Sequence, residues 1–155
     1  MLKLSIILTG IVFMLTMSCQ QKVDIQAEKT AIQSVLDDYV KSVENEDMEL
    51  YGKTVAHDTA MVNFGTFGQP IVGWAALEKV IAEQNKALSQ TTITVSNVKI
   101  EVAKSGKFAW ATSQWNFKAV MGDKPLELPV RCTWILEKQK DGWVIIHFHK
   151  SVAAG

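Results

Sequence analysis

Charge of a single sign is missing from this sequence. Sixteen Lys and Arg residues stand against sixteen Asp and Glu, interspersed along the chain. There is therefore no electrostatic footprint for nucleic acid. Cysteine is almost missing too: Cys19 and Cys132 are the only two, which excludes a disulfide scaffold. Long apolar runs are limited to Leu4–Leu15, short of the roughly 20 residues that a spanning helix needs. Internal repeats, low-complexity tracts and a second domain are also lacking. The chain reads as one domain, long enough to bury a sizeable core.

What is present begins with an address. Lys3 supplies a short positive region ahead of the Leu4–Leu15 run, the pattern of a signal peptide over residues 1–18. Ser18-Cys19 resembles the lipobox of bacterial lipoproteins, and the polar Gln20-Gln21-Lys22 follows at once. This predicts lipidation at Cys19, a tether over 19–24 and a folded domain over 25–152. The protein would then sit in the bacterial cell envelope, held on a membrane by its lipid anchor and facing the periplasm or exterior. Secretion after cleavage near Ser18 is the alternative. With Cys19 lipidated, Cys132 has no disulfide partner, and its place in an alternating apolar series makes it a small buried hydrophobe.

The folded part opens with helices. Ile25, Ile32, Val35, Leu36, Tyr39, Val40 and Val43 recur at helical spacing opposite Lys29, Gln33, Asp37 and Lys41, and Asp24 is placed to cap them. A shorter helix is expected over Asp47–Val55, a brief strand over Ala60–Phe64, a glycine loop over Gly65–Gly73 and a third helix from Trp74. From Thr91 onward the pattern is strand. Ile93 and Val95 have odd parity but Val98, Ile100 and Val102 even, which requires a β-bulge at Ser96-Asn97. Trp110 and Trp115 have opposite parity, with Trp115 on the apolar face.

Gly122-Asp123 predicts a two-residue hairpin. It sets Met121 opposite Lys124, Trp115 opposite Val130, Lys118 opposite Glu127 and Gln114 opposite Arg131, so that apolar meets apolar and charge meets opposite charge. For the last hairpin, Lys140-Asp141-Gly142 predicts a three-residue loop pairing Gln139 with Trp143, so Thr133 faces His149 and Arg131 faces Ser151. Val144, Ile146 and Phe148 then join Leu126, Leu128, Val130, Cys132 and Trp134 on one apolar face. A two- or four-residue loop would shift the register by one and set the histidines beside Cys132 and Trp134. Three helices and a long, bulged, curved antiparallel sheet make an α+β architecture with the helices on one side.

This order of elements resembles the nuclear-transport-factor-2-like superfamily. The ending Asp141-Gly142-Trp143-Val144-Ile145-Ile146-His147-Phe148-His149-Lys150-Ser151 is similar to its SnoaL-like branch, which includes the association domain of calcium/calmodulin-dependent protein kinase. Arg131 and Thr133 in the preceding strand fit that branch too. The resemblance implies a cone-shaped fold, a deep pocket between sheet and long helix, and a homodimer. It also implies a family of isomerases, dehydratases and cyclases alongside members without a known reaction.

The candidate site is the polar face of the last two strands. Arg131 with His147 and His149 could hold a carboxylate or phosphate, since a guanidinium offers a planar fork and a histidine a second donor. Thr133 shares that face, and Tyr39 and Trp74 are the aromatic candidates for the wall. Asp38 and Asp58 are the carboxylates to weigh. The first reads as a solvated helix flank and the second as turn chemistry. His147 and His149 offer two ligands where zinc needs three or four, so neither a metal nor a cofactor is expected. The sequence favours a small, anionic ligand or an association role. A small lyase or isomerase with His147 or His149 as acid/base is the alternative. An apolar sheet face in excess of what three helices cover would seal the dimer.

Overall fold

The structure, a computed structural model, describes residues 23–153. The signal peptide, Cys19 and most of the tether lie outside the described residues. Helix α1 (Ile25–Glu44) starts where Asp24 accepts hydrogen bonds from the amides of Gln26 and Ala27, each at 3.1 Å, satisfying two of the donors a helix start leaves open. Its apolar stripe buries Ile32, Leu36, Tyr39 and Val43. Helix α2 (Met48–Thr54) is capped in the same way by Asp47, which accepts from Leu50 N at 2.9 Å. Helix α3 (Trp74–Ala87) follows Gly73, whose φ is +80° and whose absent Cβ would stand 3.0 Å from Thr59 O. Only glycine turns the chain there without strain.

Strands β1 (Val62–Asn63) and β2 (Ile71–Val72) form a small ribbon. The main sheet is antiparallel, β3 (Leu88–Val102), β4 (Phe108–Met121), β5 (Lys124–Gln139) and β6 (Gly142–Val152), in that spatial order. Its inner face, under α1 and α2, carries Ala109, Ala111, Trp115 and Phe117 from β4, Val130, Cys132, Trp134 and Leu136 from β5, and Trp143, Ile145 and Phe148 from β6. The strict alternation of β4 decides which tryptophan is core: Trp115 is buried whereas Trp110 is 51% exposed.

The β4–β5 register is the expected one, with Met121 opposite Lys124, Trp115 opposite Val130 and Gln114 opposite Arg131. The bulge in β3 lies between Ser96 and Lys99, with Asn97 at φ +53°. A second irregularity, between Ser89 and Thr92, was not visible in the parity pattern.

The last hairpin corrects the expectation in one half. Gln139 pairs with Gly142, not Trp143, so the loop is the two residues Lys140-Asp141. Near the turn this puts Trp143 and Ile145 inside, and Val144 outside with Glu137. A bulge at Ile146 then adds one residue to β6. Beyond it Ile135 faces His147, Trp134 faces Phe148, Thr133 faces His149 and Arg131 faces Ser151. Each of the two registers open to the sequence therefore governs one half of the strand. Because the bulge absorbs the one-residue difference, neither half exposes its apolar set.

A clamp ties the start of α1 to this hairpin. Glu28 accepts from Lys138 Nζ at 2.5 Å and from Trp143 Nε1 at 2.7 Å. Those two donors, Lys138 first, hold the Glu28 carboxyl below the usual carboxylate range. A carboxyl depressed in the fold contributes stability that is present above its unfolded pKa and lost as pH falls through the folded one. Glu28→Ala is expected to cost about 1.5–3 kcal/mol at pH 7. In urea titrations the gap from wild type should shrink towards pH 3, and a gap unchanged in acid refutes the charged clamp.

Candidate functional site

The inner face converges on one cation. Lys150 is the next inward residue after Phe148, and in the register it stands opposite Cys132. Its Nζ donates to Tyr39 Oη at 3.0 Å. Four rings surround it, their centroids at 4.7 Å for Trp115, 4.8 Å for Phe148, 4.9 Å for Tyr39 and 5.6 Å for Trp134. The residue as a whole is half-buried, and the charged end is the part held among the rings. Tyr39 Oη is also 3.2 Å from Tyr51 Oη. Among the described residues no carboxylate comes within ion-pair distance of this ammonium.

Each group is placed by a regular element. Tyr39 comes from the buried stripe of α1, Tyr51 from the buried side of α2, Trp115 and Trp134 from inward positions of β4 and β5. The β6 end is fastened from outside by the chain after α2. Phe64 N donates to Phe148 O and Lys150 N to Phe64 O, both at 2.9 Å, while Asn63 Oδ1 accepts from Phe148 N at 2.9 Å. Asn63 is fully buried, and its Nδ2 has no partner, an uncommon state for a buried donor.

Burial sets the electrostatics. Removal from water disfavours the charged ammonium and brings Lys150 down to about 8, the nearby Cys132 opposing this slightly. Burial also pushes the Cys132 thiol up to about 11. Tyr39 rises well above the ordinary phenol value, through burial first and its neighbour Tyr51 second, and burial raises Tyr51 as well. At neutral pH both phenols and the thiol keep their protons, and the amine alone changes state near physiological pH. It can act as an ammonium that holds an anion or as a neutral amine.

The polar face singled out from sequence lies on the other side of the sheet. Arg131, Thr133 and His149 do share one face, and it is the outer, exposed one. Arg131 Nη2 donates to Val152 O at 3.1 Å. His147 Nδ1 is 2.5 Å from Val62 O, where it fastens β1 to β6, and Phe64 packs edge-on against it at 5.8 Å. Tyr39 is in the interior, and Trp74 lies one ring further out, stacked on Tyr51 at 6.3 Å and on His57 at 4.0 Å. His57 in turn meets Gly52 O at 2.9 Å. No histidine among the described residues bonds a buried carboxylate. Asp58 accepts from Ala60 N at 2.7 Å, as a turn residue does.

Lys150 and Tyr51 were missed. The signal for Lys150 was present, since the register chosen from sequence already placed it two residues past Phe148 on the apolar face and opposite Cys132. Tyr51, on a seven-residue helix, gave no periodic signal. A hollow lies elsewhere, an open cleft of 660 Å³ between α1 and β3 bordered by Lys29, Asp37, Lys99 and Glu101. Its polar groups are largely satisfied by one another, Lys29 with Glu101 at 3.2 Å and Gln33 with Asp37 at 2.8 Å. It reads as a wet surface with no converging chemistry.

The family model described as SnoaL-like domain matches residues 32–155. No curated protein is matched by the sequence. Among solved structures, the chain is similar to a nuclear transport factor 2-like superfamily protein from Salmonella enterica serovar Typhimurium, with a TM-score of 0.76 at 23% identity over 84% of this chain and 94% of that one. It is similar to a proposed dehydratase of the same superfamily from Streptomyces avermitilis, with a TM-score of 0.75 at 14% identity over 84% and 99%. It is also similar to a proposed calcium/calmodulin-dependent protein kinase II association domain from Xanthomonas campestris, with a TM-score of 0.70 at 15% identity over 85% and 94%. At these identities the structural likenesses speak for the fold, and the family match covers most of the chain. This protein belongs to the SnoaL-like family and has the nuclear-transport-factor-2-like fold.

Proposed function

We propose that the domain binds a small anionic molecule on the inner face of its sheet, with Lys150 as the counter-ion and the Tyr39–Tyr51 pair as hydroxyl partners. The observation that carries this is the enclosed ammonium with four rings and a phenol around it and, among the described residues, no carboxylate within ion-pair distance. An unpaired charge away from water is costly, and such groups concentrate where a ligand or reaction uses them. The void of about 10 Å³ beside Trp115, Trp134 and Leu36 does not border Lys150, and the Nζ end itself is closed in by its four rings. A ligand must therefore enter as the flexible Lys150 stem moves aside.

The test is a melting screen against small carboxylates and phosphates, read also by the fluorescence of Trp115 and Trp134. Wild type should be stabilised and Lys150→Met should lose roughly 10- to 100-fold in affinity, the effect of one charge-assisted hydrogen bond. Arg131→Ala, on the outer face, should bind as wild type does. If no anion stabilises wild type, or Lys150→Met binds equally, the reading fails. Loss on Arg131→Ala instead would move the site to the outer face.

The address and the assembly belong to the same proposal. The domain would be displayed on a lipid tether at Cys19, and palmitate labelling abolished by Cys19→Ser is the expected result; labelling that survives refutes it. The apolar residues of the inner face are covered by the helices, so a homodimer would form instead through the outer patch of Phe108, Trp110 and Ile135, which are 45%, 51% and 39% exposed. Sedimentation of wild type as a dimer and of Ile135→Glu as a monomer is expected; a wild-type monomer at micromolar concentration removes that contact.

A further inference from the structure

The surroundings of Lys150 suit a second chemistry besides holding a charge. We infer that the Lys150 amine condenses with the carbonyl group of a small aldehyde or ketone, forming an imine on the inner face of the sheet. The inference rests on the reading that this face admits a small molecule, and it adds the reacting group and the class of compound.

Two features favour the neutral amine, the loss of water around Nζ and the lack of a carboxylate beside it among the described residues. They outweigh the pull of the ring faces on the ammonium. A lysine becomes nucleophilic when its surroundings keep it from holding a proton, and a desolvated pocket does this. Around Nζ stand Trp115, Phe148, Tyr39 and Trp134, all within 5.6 Å, and no carboxylate among the described residues fixes the ammonium. The groups on the packed elements that could carry charge are Tyr39 from α1, Tyr51 from α2 and Cys132 from β5, and burial keeps all three protonated. The protonated thiol is a poor nucleophile, which leaves the amine as the group that attacks.

The step balances without any oxidant or reductant. The Nζ lone pair attacks the carbonyl carbon, and the carbonyl oxygen takes up a proton to give a carbinolamine. The remaining nitrogen proton and the hydroxyl then leave together as water while the C=N bond forms. Tyr39 Oη, 3.0 Å from Nζ, is placed to take a proton from nitrogen and return one to the departing hydroxyl. Tyr51 Oη at 3.2 Å extends that relay by one hydroxyl. The aromatic box excludes the water that would hydrolyse the product.

The experiment is reductive trapping of the folded protein at pH 7.5 with glyoxylate or benzaldehyde and cyanoborohydride, followed by peptide mass mapping. With an amine near 8, about a quarter of Lys150 is neutral at that pH, against about one in a thousand for an exposed lysine. Lys150 should carry the secondary amine on the order of 100-fold faster than the surface lysines. Tyr39→Phe should slow that labelling at least about 10-fold, as loss of an acid/base group does, while its melting curve shows the protein still folded. Labelling spread over surface lysines with no excess at Lys150 overturns the inference. If anions still stabilise wild type in the melting screen when Lys150 is not trapped, the imine is refuted and the binding site stands. If trapping succeeds where no anion binds, the anion reading fails and the carbonyl one is kept.

Discussion

Replacing Lys150 by methionine is expected to make this protein more stable. The ammonium lies well below its ordinary pKa, at about 8 against 10.5. At 1.36 kcal/mol per unit, burying it costs about 3 kcal/mol at neutral pH. The four rings and the Tyr39 oxygen return part of that, and methionine fills the same space without a charge. The net gain should be roughly 1–3 kcal/mol, or several degrees in melting temperature. The pH dependence has a definite sign. Between about pH 8 and 10.5 the unfolded chain binds more protons at this lysine than the folded one, so wild-type stability rises with pH there. Below pH 8 the whole penalty applies. The advantage of Lys150→Met should thus be largest at pH 7 and fade towards pH 10. A variant that melts lower than wild type at pH 7 would make Lys150 a structural strut, and the site would lose its rationale. Stability given up at one side chain for function is a common pattern.

Trp134→Ala should have a larger effect still and in the opposite direction, a loss of about 3–5 kcal/mol. Trp134 is 1% exposed. Its ring meets Tyr39 edge-on at 4.9 Å and lies 5.6 Å from Trp115 and 5.9 Å from Phe148, and its Nε1 donates to Ser113 Oγ at 3.4 Å. Trp110→Ala, on the outer face, compared in the monomeric Ile135→Glu background so that the proposed dimer contact does not enter, should fall within about 0.5 kcal/mol of its parent. The comparison is made by urea unfolding of both variants. Equal losses would mean that the two faces of the sheet have been assigned wrongly.

Much of the fold was legible because it depends on periods that survive in one dimension. The stripe from Ile32 to Val43 and the cap at Asp24 located α1. The parity break between Val95 and Val98 located a bulge that turned out to lie where it was expected. The Gly122-Asp123 turn set β4 against β5 from Met121 and Lys124 back to Phe108 and Glu137, because Trp115 with Val130, Phe117 with Leu128 and Lys118 with Glu127 all agreed on one register. The bulge at Ile146 was not legible, since Val144, Ile145 and Ile146 are three apolar residues in a row and parity cannot choose among them. The irregularity at Gln90 was hidden for a similar reason: Leu88 to Thr92 has no alternation to break.

The polar set was visible as a set, and its side was not. Alternation told that Arg131, Thr133 and His149 share a face opposite to Cys132 and Trp134, and they do. It could not tell which face the helices cover, because one period-2 strand looks the same from either side. The expectation that histidines mark the pocket gave weight to residue type over burial. On packing grounds the large apolar side chains claim the enclosed face, and Lys150 goes in with them because it shares the parity of Phe148.

By itself the sequence determined the α+β class, the order of elements, the capped first helix, the β4–β5 register and the family to which the chain belongs. These follow from local propensity, pattern and turn chemistry, which act over a few residues. Only the tertiary structure decided which sheet face is inside, where the one-residue correction in β6 falls, and that Tyr39, Tyr51, Trp115, Trp134 and Phe148 meet around one lysine. Those residues come from five elements separated along the chain by up to 111 positions. Their meeting is fixed by close packing of the helices against a bent sheet, a constraint that no local stretch of sequence carries.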